Sequence, residues 1–245
     1  MAGGAAAAAE PVEILAIGPH PDDIELGCAG LLALERRRGH RIGLVDLSRG
    51  EMGSRGDAEI RAREAEEAAR RLGARFRLNL GLPDTAVRDE PEAARRLALW
   101  IRQARPVVVL APWRSDRHPD HAAAGALAER AVLYAGLRRL ELGAPYHVVR
   151  ALLFYPINEA MERPSFCVDV GEVWEEKVAA LEAHASQVGE AGLEIDRRFF
   201  GHGGFLEAME ARARQYGRMI GARYAEAYAM RDPLRLQDPL AFFAE

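Results

Sequence analysis

Lysine is almost missing from this sequence: of its 33 Lys and Arg residues only Lys177 is a lysine. The bias toward Arg and Ala says little about mechanism. Cysteine is nearly as rare. Cys28 and Cys167 are the only two, too few for a disulfide framework; they read as core residues, and the cytoplasm is the expected compartment. Positive charge is not in excess. The formal net charge is −4, which leaves no electrostatic footprint for nucleic acid. No apolar run approaches the roughly 18 residues that a membrane helix needs. Residues 1–10 lack the basic start of a signal peptide and break at Glu10-Pro11, so they read as a flexible Ala/Gly-rich tail. A GxG fingerprint is absent from the first strand–helix turn. Pro19 and Pro21 also lack the amides that would cradle a pyrophosphate, which argues against a dinucleotide site.

What is there is globular: 49% of residues are hydrophobic, and 245 residues can bury a full core. Short apolar runs at 12–17, 41–47, 75–80 and 107–110 read as strands, with 148–155 and 166–170 as two more. Helical patterns cover 25–38, 58–72 (capped by Asp57, stopped by Gly73), 92–104, 119–134, 172–186 and 205–228. Strands alternating with helices predict an α/β fold. Its expected form is a Rossmann-like, mostly parallel sheet of order 3-2-1-4-5 with helices on both faces. In that order strands 1 and 4 are neighbours, and ligands bind beyond their C-terminal ends.

Two Pro-stiffened stretches fall at those ends. Gly18-Pro19-His20-Pro21-Asp22-Asp23 follows the first strand, and His118-Pro119-Asp120-His121 follows the fourth. Either alone is ordinarily a turn or a helix cap. Together at the switch point they offer His20, Asp22, Asp23, His118, Asp120 and His121 to one site. A catalytic zinc takes three such ligands and keeps one position open. Neighbouring side chains diverge, so of Asp22 and Asp23 one binds metal while the other is left to take a proton. His118 and His121, three apart at a helix start, can face the same side.

These two motifs resemble the LmbE/PIG-L family of zinc N-acetylglucosamine deacetylases. The likeness extends over nearly the whole chain and implies a single domain over residues 11–245. Leu47-Ser48-Arg49-Gly50-Glu51-Met52-Gly53-Ser54, Gly81-Leu82-Pro83-Asp84, Ser165-Phe166-Cys167-Val168-Asp169-Val170 and His184-Ala185-Ser186-Gln187 are similar to one branch, the bacillithiol-biosynthesis deacetylases. The resemblance implies that His20, Asp23 and His121 bind Zn2+ and that Asp22 is the general base. It also implies that protonated His118, oriented by Asp120, steadies the tetrahedral oxyanion. Arg61 and Asp84 match positions that hold sugar hydroxyls, and Arg150 matches an arginine near the active site. Without the resemblance Arg61 reads as a solvated helix charge and Asp84 as a turn residue. Glu51 and His184 receive no firm role: a pocket acid or a surface acid, and a cap or a subunit contact. Phe199-Phe200 and Phe242-Phe243 read as core or interface.

The implied partner is a small amino-sugar conjugate, the malate glycoside of N-acetylglucosamine if the branch holds, and the implied assembly is a hexamer. A dianionic aglycone calls for cations at the pocket mouth, and Arg49, Arg55, Arg114, Arg117 and Arg150 are the candidates. Three other readings compete. A general N-acetylglucosaminide or chitin-oligosaccharide deacetylase would share the mechanism. A facial-triad Fe(II) enzyme is disfavoured because those sit on double-sheet β scaffolds. A metal-stabilised sugar-binding module would have no use for a second carboxylate beside the metal.

Overall fold

Ile14–Gly18, strand β1, is buried at every residue. An unbroken apolar run demands this when helices cover both faces of a parallel sheet. In the computed structural model, which describes residues 9–188, 204–238 and 240, β1 belongs to a seven-stranded sheet. β2 (Ile42–Ser48) and β4 (Val108–Pro112) flank it in parallel, with Ile14 opposite both Ile42 and Val108. β3 (Arg77–Leu82) lies beyond β2, and β5 (Ala151–Tyr155) beyond β4, also in parallel. These five strands have the expected order 3-2-1-4-5. The sheet then continues: β7 (Ala225–Met230) runs antiparallel to β5, and β6 (Phe166–Asp169) antiparallel to β7 at the edge.

One face is covered by α1 (Asp23–Arg37), α2 (Ala58–Leu72) and α5 (Trp174–Glu182), whose Ile24, Leu32, Leu72 and Leu181 share one buried cluster. The other is covered by α3 (Pro91–Ala104) and α4 (Pro119–Gly136), which contribute Leu97, Ile101, Leu127 and Ala131 to a second. Asp57 caps α2 as expected, accepting from the amides of Glu59 and Ile60.

Two expected helices end differently. Residues 172–186 divide into a 3-10 turn (Gly171–Val173), α5 and α6 (Ala185–Val188), with the break at Ala183-His184. The last helix, α7 (Gly204–Ile220), stops at Gly221, which takes a left-handed φ of 75°. Residues 225–230 then form β7. Their Ala- and Glu-rich sequence favours helix by propensity, but pairing on both sides with β5 and β6 overrides it. Residues 1–8, Phe199-Phe200 and Phe242-Phe243 lie outside the described residues. Ala9 is buried. Cys28 is buried and Cys167 half-buried.

One packing detail fixes the start of α1. A Cβ at Gly27 would lie 2.0 Å from the Tyr155 ring. The missing side chain lets that ring press against the helix while its hydroxyl donates to the Ile17 carbonyl at 2.7 Å. Helix α1, β5 and the end of β1 are thereby locked together directly beneath the His20 loop.

Candidate active site

The loop after β1 is tied to the loop after β2. Ser48 donates to the Pro19 carbonyl from both its amide, at 2.9 Å, and its hydroxyl, at 3.0 Å. His20 and Asp23 then close on each other: the His20 amide donates to Asp23 Oδ2 at 3.0 Å, and His20 Nδ1 lies 2.9 Å from the same oxygen. His121, on the first turn of α4, brings Nε2 to 3.5 Å from Asp23 Oδ2. Two imidazole nitrogens from separate loops thus converge on one carboxylate oxygen.

The far ring nitrogens are held as well. His20 Nε2 lies 3.1 Å from Asp84 Oδ1 and 3.4 Å from Asp120 Oδ2. His121 Nδ1 lies 3.2 Å from Asp116 Oδ1 and 3.2 Å from Asn158 Nδ2. Metal-binding histidines usually have such a carboxylate partner behind them, which sets ring orientation and tautomer. Burial alone would lower both imidazoles. The hydrogen-bonded carboxylates outweigh it and raise them: Asp120, Asp23 and Asp84 around His20, and Asp23 and Asp116 around His121. Burial would raise Asp23, but His121 and His20 hold it below the usual carboxylate range. The cluster is therefore rich in carboxylate and draws positive charge to its centre. Its donors, imidazole nitrogen and carboxylate oxygen, are those zinc accepts. His20, Asp23 and His121 are close enough for one ion, and so, separately, are His20, His118 and Asp120.

Asp22 stands apart from this group. Its φ of 112° lies in the left-handed region, and although it occupies the N-cap of α1 its side chain caps nothing. Backbone strain held in this way is characteristic of functional sites. Burial pushes its carboxyl up to about 6, against the pull of Arg61. Arg61 is not a solvated charge. It is buried, donating to the Gly50 carbonyl at 2.8 Å, to the Pro21 carbonyl at 2.7 Å and to Asp22 Oδ1 at 3.3 Å. Gly50 makes room for it: its φ is 66°, and a Cβ there would lie 2.0 Å from Arg61 Nη1.

Three expectations need correction. Asp120 does not meet His118 through its carboxylate. It contacts His118 through its backbone amide, which donates to His118 Nδ1 at 3.2 Å, because His118 is the N-cap of α4. The Asp120 carboxylate instead faces His20 and accepts from the Thr85 amide at 2.8 Å. His118 is also lowered on balance: burial, His121 and His20 outweigh Asp23 and Asp120, which pull it toward its charged form. Arg150 is exposed and precedes β5, its amide donating to the Val107 carbonyl at 2.9 Å. That is the N-terminal edge of the sheet, opposite the site.

Asp84, by contrast, is at the site. It accepts from the Met52 and Thr85 amides, each at 2.8 Å, besides facing His20. Glu51 accepts from the Asp84 amide at 3.0 Å and so braces that turn. His184 is fully buried with Nε2 3.3 Å from Glu25 Oε2, so its ring is not at a subunit surface. Below it Arg77 bridges the buried carboxylates of Glu25 and Asp46. Sequence reasoning missed Asp116, Asn158 and Thr85. Asp116 precedes His118 by two residues in the same loop. Asn158 follows the end of β5, a strand neighbouring β4, where the switch-point rule points.

His20, Asp22, Asp23, Asp84, His118 and His121 line a cleft of about 230 Å³ that is also walled by Met52, Asn158 and Phe205. The sequence profile of the family described as PIG-L: GlcNAc-PI de-N-acetylase matches residues 15–132, which carry both loops. Diacetylchitobiose deacetylase of Thermococcus kodakarensis is 32% identical over 230 residues, covering 87% of this chain and 81% of that protein. The chain belongs to the PIG-L family. PIG-L relatives include the probable N-acetyl-alpha-D-glucosaminyl L-malate deacetylase 2 of Bacillus subtilis, 28% identical over 187 residues, or 71% of this chain and 82% of that one. Among solved structures, the conserved protein TT1542 from Thermus thermophilus superposes with a TM-score of 0.82 at 42% identity, over 93% of this chain and 98% of that one.

The partner behind His121 gives a first test of the PIG-L site. Asp116→Ala removes the group that orients the ring without removing the ring itself. Loss of such a partner typically costs about 10- to 100-fold in metal affinity. Competition of the variant against a metal-sensitive dye should show a drop in that range, and unchanged affinity would mean that Asp116 serves only the loop.

Proposed function

We propose that this chain is a zinc-dependent de-N-acetylase that releases acetate from an N-acetylglucosaminyl conjugate. The observation that carries this reading is the convergence of His20 Nδ1 and His121 Nε2 on Asp23, with a second, strained and uncapping carboxylate, Asp22, beside them. His20, Asp23 and His121 would hold the ion. Zinc bound there supplies a Lewis acid for the acetamide carbonyl and lowers the pKa of water to roughly 7. Asp22 takes the proton of the attacking water and passes it to the departing amine. Arg61 fixes the loop that presents Asp22 and also lines the cleft, so it supports the base from within the wall that faces the sugar. His118 has Nδ1 occupied as an acceptor and presents Nε2–H. As a neutral imidazole it donates a hydrogen bond from that N–H to the oxyanion; one such donor is worth about 2.7–4 kcal/mol. Asp84, at the cleft wall, is the carboxylate placed to take a sugar hydroxyl.

The described lining of the cleft favours a neutral conjugate. Arg61 is its only arginine. Arg49 lines a different cavity, and Arg114 pairs with Glu129. Past Leu26, Asn158 and Phe205 the cleft adjoins a second cavity of about 290 Å³, walled in part by Ile157, Ala208 and Met209. That gives a second sugar ring a place to lie. The motif likeness noted above favours the malate glycoside instead, and the two substrates separate the readings. The kcat/KM for the malate glycoside should not exceed that for diacetylchitobiose. A malate preference of about tenfold or more, the yield of one charge-assisted hydrogen bond, would restore the bacillithiol branch. Binding of both substrates with acetate released from neither, in the zinc-loaded protein, would favour a sugar-binding role.

A further inference from the structure

The chain's only lysine is buried against the helix that carries Asp22 and Asp23. Lys177 Nζ donates to the carbonyls of Glu25, at 3.1 Å, and Leu26, at 2.9 Å, and to Glu226 Oε1 at 2.6 Å. An ammonium has three donors, and all three are used. Glu226 is equally complete. Oε1 also accepts from the Gly30 amide at 2.8 Å, and Oε2 accepts from the Leu31 amide and the Tyr228 hydroxyl, both at 2.8 Å. A carboxylate has about four lone-pair sites, and these are filled.

The partners identify what the pair does to α1. In a regular helix the Gly30 amide bonds to the Leu26 carbonyl. Here that amide donates to Glu226 and that carbonyl accepts from Lys177, so the ion pair grips the backbone of α1 at this turn. Gly30 admits the carboxylate: a Cβ there would lie 2.9 Å from Glu226 Oε1 and 2.7 Å from Val170. The residue types fit as well. In a chain that otherwise uses arginine, a compact three-donor head is needed at this position, because a planar guanidinium cannot converge on three acceptors from one atom. A buried ion pair is not stabilising by default, since desolvation offsets its attraction, so stability alone does not account for it.

We propose that Lys177 and Glu226 are positioning residues: they anchor the N-terminal half of α1 to α5 and β7 and so set Asp22 and Asp23 against His20 and His121. This rests on the deacetylase reading for the roles of Asp22 and Asp23, and on nothing else in it. Both residues lie outside the matched span 15–132, on α5 and β7, so the later part of the chain shapes a site whose candidate ligands all come from the first half.

The deciding variant is Lys177→Met combined with Glu226→Gln, which removes both charges and with them the ionic anchor of α1. It should melt near the wild type. Well below its Tm it should bind Co(II) about 10- to 100-fold more weakly, as when the supporting contacts of a metal ligand are lost. Its cobalt absorption band should shift, and kcat should fall with KM little changed. Wild-type cobalt affinity, spectrum and kcat would show that the pair is only structural and overturn the proposal. If the double variant does not fold, Glu226→Asp, which keeps both charges but retracts the carboxylate by one methylene, decides by the same readings. A wild-type protein that takes up no cobalt overturns the metal reading and this one together. One that takes up cobalt but releases no acetate overturns only the proposed activity.

Discussion

Replacing Asp22 by asparagine should leave the metal bound and lower kcat by about 10²- to 10⁴-fold, the usual contribution of a positioned acid–base group. Asparagine is the informative choice. The residue sits at φ 112°, where asparagine is tolerated far better than alanine. The amide also keeps an oxygen for Arg61, whose Nη2 lies 3.3 Å from Asp22 Oδ1. Loop geometry is therefore preserved, and the loss reports proton transfer alone. An alanine would add backbone strain and leave Arg61 without its partner, so its kinetics would mix two effects. The measurement is kcat on an N-acetylglucosaminide together with zinc content per chain. A near wild-type kcat would remove Asp22 from the mechanism and return the question to Asp23.

The parts of this site legible in the sequence are those with a local signature. The apolar runs of β1 and β4, each closed by a Pro-bearing loop, gave away both strands and the switch point between them. Once β1 and β4 are neighbours, His20 and His121 must meet although a hundred residues separate them. What escaped depends on which atom faces which. His118 and Asp120 are two apart, and only the structure reveals that an amide, not a carboxylate, bridges them, because His118 caps α4. Arg61 sits among Glu64 and Glu66 on a polar helix, and nothing local says that the α2 N-terminus turns its guanidinium into the loop. Arg150 owed its site role to the resemblance alone; the apolar run 148–155 already set it near the N-terminal end of its strand, away from the switch point. β7 was lost because alanine and glutamate speak for helix until β5 and β6 are there to pair with. Lys177 has no local pattern at all: a buried lysine looks like a surface one until Glu226 is brought beside it.

His121→Ala should lose metal and activity together, by more than the roughly 100-fold upper limit for loss of a supporting group such as Asp116. A three-ligand site that loses an imidazole keeps one nitrogen and one carboxylate, too few to retain zinc against dialysis. The usual objection, that the variant simply misfolds, is weak here. Asp116 would lose the His121 ring but still accept from the His118 amide at 2.8 Å and the Asn158 amide at 2.9 Å, so it is not left buried and unpaired. Asp23 would keep its bond from the His20 amide. The fold and the metal are therefore separable: the variant should melt cooperatively near the wild type yet contain little zinc after dialysis, and added zinc should restore little turnover. A variant that kept one zinc per chain would show that His121 is not a ligand. It would shift the site toward His20, His118 and Asp120, the other trio close enough to hold an ion. In that arrangement His118 could no longer serve as the oxyanion donor, and the assignment of every group except Asp22 would have to be reworked.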